Sequence, residues 1–332
     1  MNEFSIRRAT EADFPIVMPF LDHVFFPSEP GHFVQICPHL YSNPETAMHE
    51  AYLAWVGERL VGHVGVYPLR VKVGSGRELS IGGVGAVSAH ADYRGKGIMS
   101  ALLHAAIEGM YASGYDLSVL WGDRKRYLTF GWETVGRRME WTFDARIARA
   151  AGTKPATLVA FDPEHHLNTL VHAWNADFSG TLHDARSMSV HMQRHWHVVF
   201  AAQSLDTIPT FACYQMRDGA MIVDKLAGAE EMLPAVLLSL MELEEQRPSK
   251  VIVRSPAAPH PVGRLAIAMN SELAVRPACH ARVINAESLV AKLQATSLPS
   301  DLAEAVRTLF GTPAADAISP HNCLFIEELA HV

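Results

Sequence analysis

Polar and apolar residues alternate through FSIRRAT at 4–10, the period of a half-buried strand. Thr10 then precedes Glu11, Ala12 and Asp13, an N-cap with acidic residues after it, and an apolar-rich run extends toward Phe26. A helix is therefore predicted after the first strand. Two strand-like runs, 49–56 and 59–73, flank Gly57-Glu58 and predict a hairpin. Beyond GGVGAVSAHADYRGKG at 82–97, the residues Met99, Leu102, Leu103, Ala106, Ile107 and Met110 recur at helical spacing, so a helix running to about 112 presents one apolar face. A buried-strand run, YDLSVLWG at 115–122, follows it. This order predicts an α/β domain around a mixed sheet.

Small residues, one Gly and one Pro interrupt the strand signals in ARIARAAGTKPA at 145–156, and the junction between two halves is placed there, as domains 1–150 and 151–332. The second half repeats the first loosely. Strands are expected at 208–226 around Asp218-Gly219, at 250–256 and at 272–285, with helices at 229–246 and 261–269. The last forty residues read as helical and then extended.

Composition narrows the class. The 332 residues, 49% of them apolar, suffice for two packed cores. Lys and Arg number 28 against 35 Asp and Glu, a net charge of −7 with no basic block, which leaves nucleic acid without an electrostatic footprint. The apolar stretch Leu233–Met241 is about half the ~20 residues that a membrane-spanning helix needs. Residues 1–14 show no apolar leader, so a cytosolic protein is expected. Cys37, Cys213, Cys279 and Cys323 form no C-x-x-C pair and read as small buried hydrophobes. His191, His195 and His197 could share a helical face, but without H-E-x-x-H or a matching Cys no metal is expected.

The chemistry concentrates at Val87 to Ser100, where a strand runs through Arg94-Gly95-Lys96-Gly97 into a helix. A helix N-terminus exposes backbone N–H groups and partial positive charge, and glycine lets the backbone approach an anion closely. Arg94 and Lys96 add formal charge beside it. G-x-x-x-x-G-K-[ST] is absent and Gly83-x-Gly85 lacks a third glycine, so neither triphosphate hydrolysis nor hydride transfer is supported.

Arg94-Gly95-Lys96-Gly97-Ile98-Met99 resembles the pyrophosphate loop of the GNAT superfamily of N-acyltransferases, Q/R-x-x-G-x-G/A, with Met99 at the final small-residue position. Val87, Ala89, Tyr93 and Arg94 also fall in register with that family's V-x-V-x-P-x-Y-R-G-K-G, Ala91 replacing the proline. The resemblance spans roughly residues 4–145. It implies that backbone groups of Val87, Ser88 and Ala89 pair with the pantetheine arm of acetyl-CoA, the cosubstrate, and that residues 94–99 hold its diphosphate. It further implies that the strand at 115–122 parts from 82–89 to leave a cleft.

Trp121 to Trp132 resembles the family's G-D-x-x-x-Y-x-x-F-G-F segment, which places Tyr127 as the acid that protonates the departing thiolate. A phenol with a pKa near ~10 suits a thiol near ~8.5. The general base stays open between Asp123, His90, a water chain and a backbone carbonyl. The two halves together resemble the enhanced intracellular survival type, with an intact first GNAT domain and a degenerate second one. GTLHDAR at 180–186, the Trp196 region and ARVINAESLV at 281–290 carry that likeness. Such proteins add a sterol-carrier-like domain that this length does not hold, and Val332 would be the counterpart of their terminal carboxylate. LAGAEEML at 226–233 has acidic residues where the first half has Arg94 and Lys96, so it should hold no phosphate. The expected activity is acetyl transfer to an amine of a small molecule or peptide, with a non-catalytic acyl-CoA-binding or regulatory module as the alternative. The oligomeric state is left open.

Overall fold

The computed structural model describes residues 4–73, 76–144, 152–177, 180–193, 197–205, 208–243, 248–257 and 260–293. His195, Trp196, Cys323, Val332 and the last forty residues, all but Leu293, lie outside them. The first alternating run forms the strand β1 (Ser5–Arg8). The backbone N–H of Thr10 donates to Asp13 at 2.8 Å and starts a short 3-10 turn, which leads into the helix α1 (Phe14–Phe25). Three short helices follow, α2 (His32–Ile36), α3 (Pro38–Tyr41) and α4 (Pro44–Met48). The expected hairpin is β2 (Ala51–Val56) and β3 (Arg59–Val73), and β3 pairs antiparallel with β4 (Arg77–Ala89).

The apolar face read from Met99 to Met110 belongs to α5 (Ile98–Ala112). Ile98, Leu102, Leu103, Ala106 and Met110 are buried against the sheet, and the larger side chains contribute about 1.5–3 kcal/mol each. After α5 come β5 (Leu117–Leu120), α6 (Arg124–Leu128) and β6 (Glu133–Phe143).

The second half contributes β7 (Leu158–Ala160), α7 (Pro163–Ala176), β8 (Gly180–Thr181), α8 (Ala185–His191), β9 (His197–Ala201) and β10 (Phe211–Arg217). It continues with β11 (Ala220–Ala227), α9 (Leu233–Met241), β12 (Lys250–Pro256), α10 (Pro261–Ala268), β13 (Glu272–Val283) and α11 (Ala286–Leu293). Asp218 and Gly219 both take positive φ, +51° and +75°, as a two-residue hairpin turn requires. Cys37, Cys213 and Cys279 are buried. No helix of the described residues is long and apolar enough to cross a membrane.

The strands form one sheet in the order β1-β2-β3-β4-β5-β13-β6-β12-β11-β10-β9-β7, with β8 paired to β3. Read inward from either edge, the order is the same series of antiparallel pairs ending in one parallel pair, β4 with β5 and β11 with β12. Each half then passes its last strand to the other: β13 pairs with β5, and β6 pairs with β12. The strands before and after residues 145–156 are thus not separated across the sheet. The pairing of β6 with β13 runs from Glu272 opposite Thr142 to Ala281 opposite Glu133 and holds the halves together.

Candidate active site

The parallel pairing of β4 with β5 covers only Ile81 to Gly83 opposite Leu117 to Val119, after which the strands part. The cause is local. Between Gly65–Gly85 and His63–Ser88, one residue of β3, Val64, faces two of β4, Ala86 and Val87. Such a bulge bends its strand. Ala86 takes φ +49° to make it. The parting of 82–89 from 115–122 that the sequence resemblance implied is therefore present.

A cavity of about 700 Å³ lies where the strands separate. Val87, Ser88 and Ala89 line it from β4, Val24 and Phe25 from α1, Tyr93 to Gly95 and Gly97 from the loop, and Ile98 to Ser100 from α5. Gly95 and Gly97 have φ of +78° and +79°, which L side chains rarely adopt, and a Cβ at either would meet nothing within 4 Å. Both glycines therefore meet a backbone conformation that a side chain would strain. Gly97 is the N-cap of α5 and no side chain caps it. The first N–H groups of a 15-residue helix, with the positive end of its dipole, are thus presented beside the cavity.

Of the residues singled out in the sequence, Val87, Ser88, Ala89, Arg94, Gly95, Gly97, Ile98 and Met99 line this one cavity. Lys96 does not: its ammonium lies over the Tyr93 ring, 5.0 Å from the centroid. Tyr127 is also outside the lining and is buried in the core with Trp132, ring centroids 6.3 Å apart. Its neighbour Arg126 takes the position at the cavity wall. A Cβ at Gly122 would come 2.9 Å from the Tyr127 ring, so a glycine there lets the ring pack. Burial raises the phenol pKa above its usual value, and Arg126 partly opposes the shift.

Asp123 accepts the backbone N–H of Lys125 at 3.0 Å and so caps α6. Glu133, buried in β6, receives two hydrogen bonds from Arg124 at 2.8 Å each and fixes that helix to the sheet. His90 stacks on His23, and burial, followed by Arg59, lowers its pKa. His63 lies on β3 at the bulge, fully buried, with its pKa lowered to about 4 by burial.

The sequence reading missed Arg126 and Phe25 as wall residues. Arg126 was signalled only by its place beside Tyr127, and Phe25 by its place at the end of the first apolar helix.

Residues 5–135 match the family model of the acetyltransferase (GNAT) domain. They form a GNAT acetyltransferase domain. None of the curated proteins matches the chain. Among solved structures, a probable N-acyltransferase from Enterococcus faecalis V583 is similar over 87% of this chain and 75% of its own, with a TM-score of 0.70 and 14% identity. A GCN5-related N-acetyltransferase from Kribbella flavida is similar over 87% and 74%, with a TM-score of 0.67 and 17% identity. Eis1 from Mycobacterium abscessus is similar over 87% and 76%, with a TM-score of 0.60 and 14% identity. At these identities the likeness is one of fold, and it extends beyond the GNAT domain into the second half.

Proposed function

We propose that the protein is an acetyl-CoA-dependent N-acetyltransferase that passes an acetyl group directly from the thioester to an amine of a small molecule or peptide. The observation that carries this reading is the uncapped N-terminus of α5 beside a cavity walled by Arg94 and Arg126. A diphosphate there accepts hydrogen bonds from backbone N–H groups and faces two guanidinium groups. The backbone of Val87, Ser88 and Ala89 runs on from that point toward the gap between β4 and β5 and offers an extended amide arm a strand to pair with.

Tyr67 packs with α1 to α4, apart from the cluster that α5 forms, so in our reading the amine approaches the thioester from the face of the sheet opposite α5. On that face lies a second cavity of about 360 Å³, walled by His39, Glu45 and Tyr67 from the first half and by His183, Asp184 and His191 from the second. Tyr67 stands opposite Gly83, the last residue of β4 paired to β5. This cavity is the acceptor pocket in our reading, and it gives the second half its part in the reaction. Residues 1–150 then act as the acetyltransferase domain and 151–332 as a degenerate partner. Tyr127, kept protonated by burial, is the group assigned to protonate the departing thiolate.

Release of free thiol from acetyl-CoA across a panel of amines tests the proposal, the expected result being amine-dependent release with acetylated product. A second reading, an acyl-CoA-binding module without turnover, draws on the position of Tyr127 behind Arg126. Calorimetric binding of acetyl-CoA without product from any amine would select it.

A further inference from the structure

His63 is buried beside the bulge, and the reaction as described leaves its bonding unused. It stands on β3 opposite Ser88 and is fully buried. Its Nδ1 lies 3.0 Å from the carbonyl oxygen of Ala86. A carbonyl can only accept, so the ring carries its proton on Nδ1 and Nε2 is left as an acceptor. Nε2 meets no hydrogen-bond partner among the described residues. A leucine would avoid burying that bare nitrogen, so the histidine is a poor choice for packing alone.

The bond to Ala86 explains the choice. Ala86 holds a left-handed backbone, φ +49°, that a residue with a Cβ adopts at a cost. Its carbonyl receives two side-chain donors, Nδ1–H of His63 and the Ser88 hydroxyl at 3.2 Å. Ala86 and Val87 form the bulge, and Val87 to Ala89 form the cavity wall immediately after it. We infer that His63 is a positioning residue for acetyl-CoA: by donating Nδ1–H to Ala86 it holds the bulge that aims the Val87–Ala89 backbone at the pantetheine arm. A general-base role is disfavoured, because burial leaves the imidazole, with a pKa of about 4, too weak to take a proton from an ammonium nucleophile.

The inference rests on the acetyl-CoA reading, and the experiment separates the two. Asn places an amide donor near the position of His Nδ1, Gln places one near Nε2 and Leu places none. Calorimetry with acetyl-CoA should show His63→Leu and His63→Gln weakened about tenfold and His63→Asn within about threefold of wild type, the scale of one lost hydrogen bond. The acidic limb of the rate profile should keep its midpoint in all three. Nitrogen NMR of histidine-labelled wild type should show the His63 ring neutral and protonated at Nδ1 above about pH 5, a readout that needs no variant to fold. An Nε2-protonated ring, wild-type affinity in the Leu and Gln variants, or an Asn variant as weak as Leu would each overturn the inference while wild type still binds acetyl-CoA. Wild type that binds no acetyl-CoA overturns the underlying reading and this inference with it.

Discussion

Arg254 of β12 places Nη1 2.5 Å from Oδ1 of Asp224 in β11, just past the last parallel pair, Val223 with Val253. Asp224 is the extra residue of a bulge between Cys213 and Tyr214 of β10 and their partners, so the second half repeats the device that opens β4 from β5. In the first half the position after the last parallel pair on β5 is Leu120, and a cavity lies beyond the splay. In the second half the space is taken by charge. Gln215 and Glu140 also bind this pair, while Lys225 pairs with Asp177 at 2.8 Å and His260 with the same carboxylate at 3.1 Å. Removing Arg254 takes its charge from the buried Asp224 carboxylate, so Arg254→Met should cost about 3–5 kcal/mol in urea unfolding. Asp224→Leu with Arg254→Met should recover most of that loss. Acetyl-CoA titration should give one site per chain.

Gly97→Ala should weaken acetyl-CoA binding although the new methyl meets nothing within 4 Å. The strain lies in φ +79°, where a Cβ costs about 1–2 kcal/mol. Gly97→Asn, a residue that tolerates the left-handed region, should lose less of both stability and affinity. Calorimetry and thermal melts of the two variants separate backbone strain from crowding, since crowding would rank the larger Asn as worse.

Much of this site was legible because helix N-termini and glycine turns leave local marks. The period of α5 and the glycines before it fixed where a helix begins, and Gly95 and Gly97 do take positive φ. The exchange of β6 and β13 left no mark, since alternation says which face a residue takes and nothing about which strand lies alongside. The bulge was equally silent, because Ala86 fills a backbone position usually signalled by glycine. Lys96 and Arg126 show the limit at the level of side chains. Both stand next to motif residues, but Lys96 turns onto Tyr93 and Arg126 takes the wall where Tyr127 was expected.

Tyr127→Phe should lower turnover about 10²-fold or more with little change in acetyl-CoA affinity, because it removes a proton donor and keeps the ring packed on Trp132. The phenol pKa is raised by burial, so loss of the donor by ionisation is displaced to pH above its usual ~10. Wild-type rate should therefore show no basic limb from this group below about pH 10. Single-turnover rates that are equal in the two proteins would remove Tyr127 from proton transfer.

The wall supplied by the second half makes a separate prediction. His183→Ala, in the wall of the 360 Å³ cavity, should raise KM for the amine and leave KM for acetyl-CoA unchanged. The His183 and His191 rings lie 4.6 Å apart, so His191→Ala should act in the same direction. Initial rates with each substrate varied in turn distinguish this from a general loss of fold, which would depress both.

His63 should make the protein acid-sensitive in a defined window. Burial lowers its pKa from 6.5 to about 4, so between those values the unfolded chain binds a proton that the folded chain does not. Stability is then full above about pH 6.5, falls as pH drops through the window and levels below about pH 4. A shift of this size corresponds to about 3 kcal/mol. His63→Leu has no such proton to bind, so the difference in unfolding free energy between wild type and this variant should move by about that amount in the variant's favour as pH is lowered from 7 to 4. Urea unfolding of both proteins at a series of pH values measures it directly. A difference that stays constant across the series would mean that the ring titrates alike in the folded and unfolded chains, and the neutral Nδ1–H donor to Ala86 would lose its support.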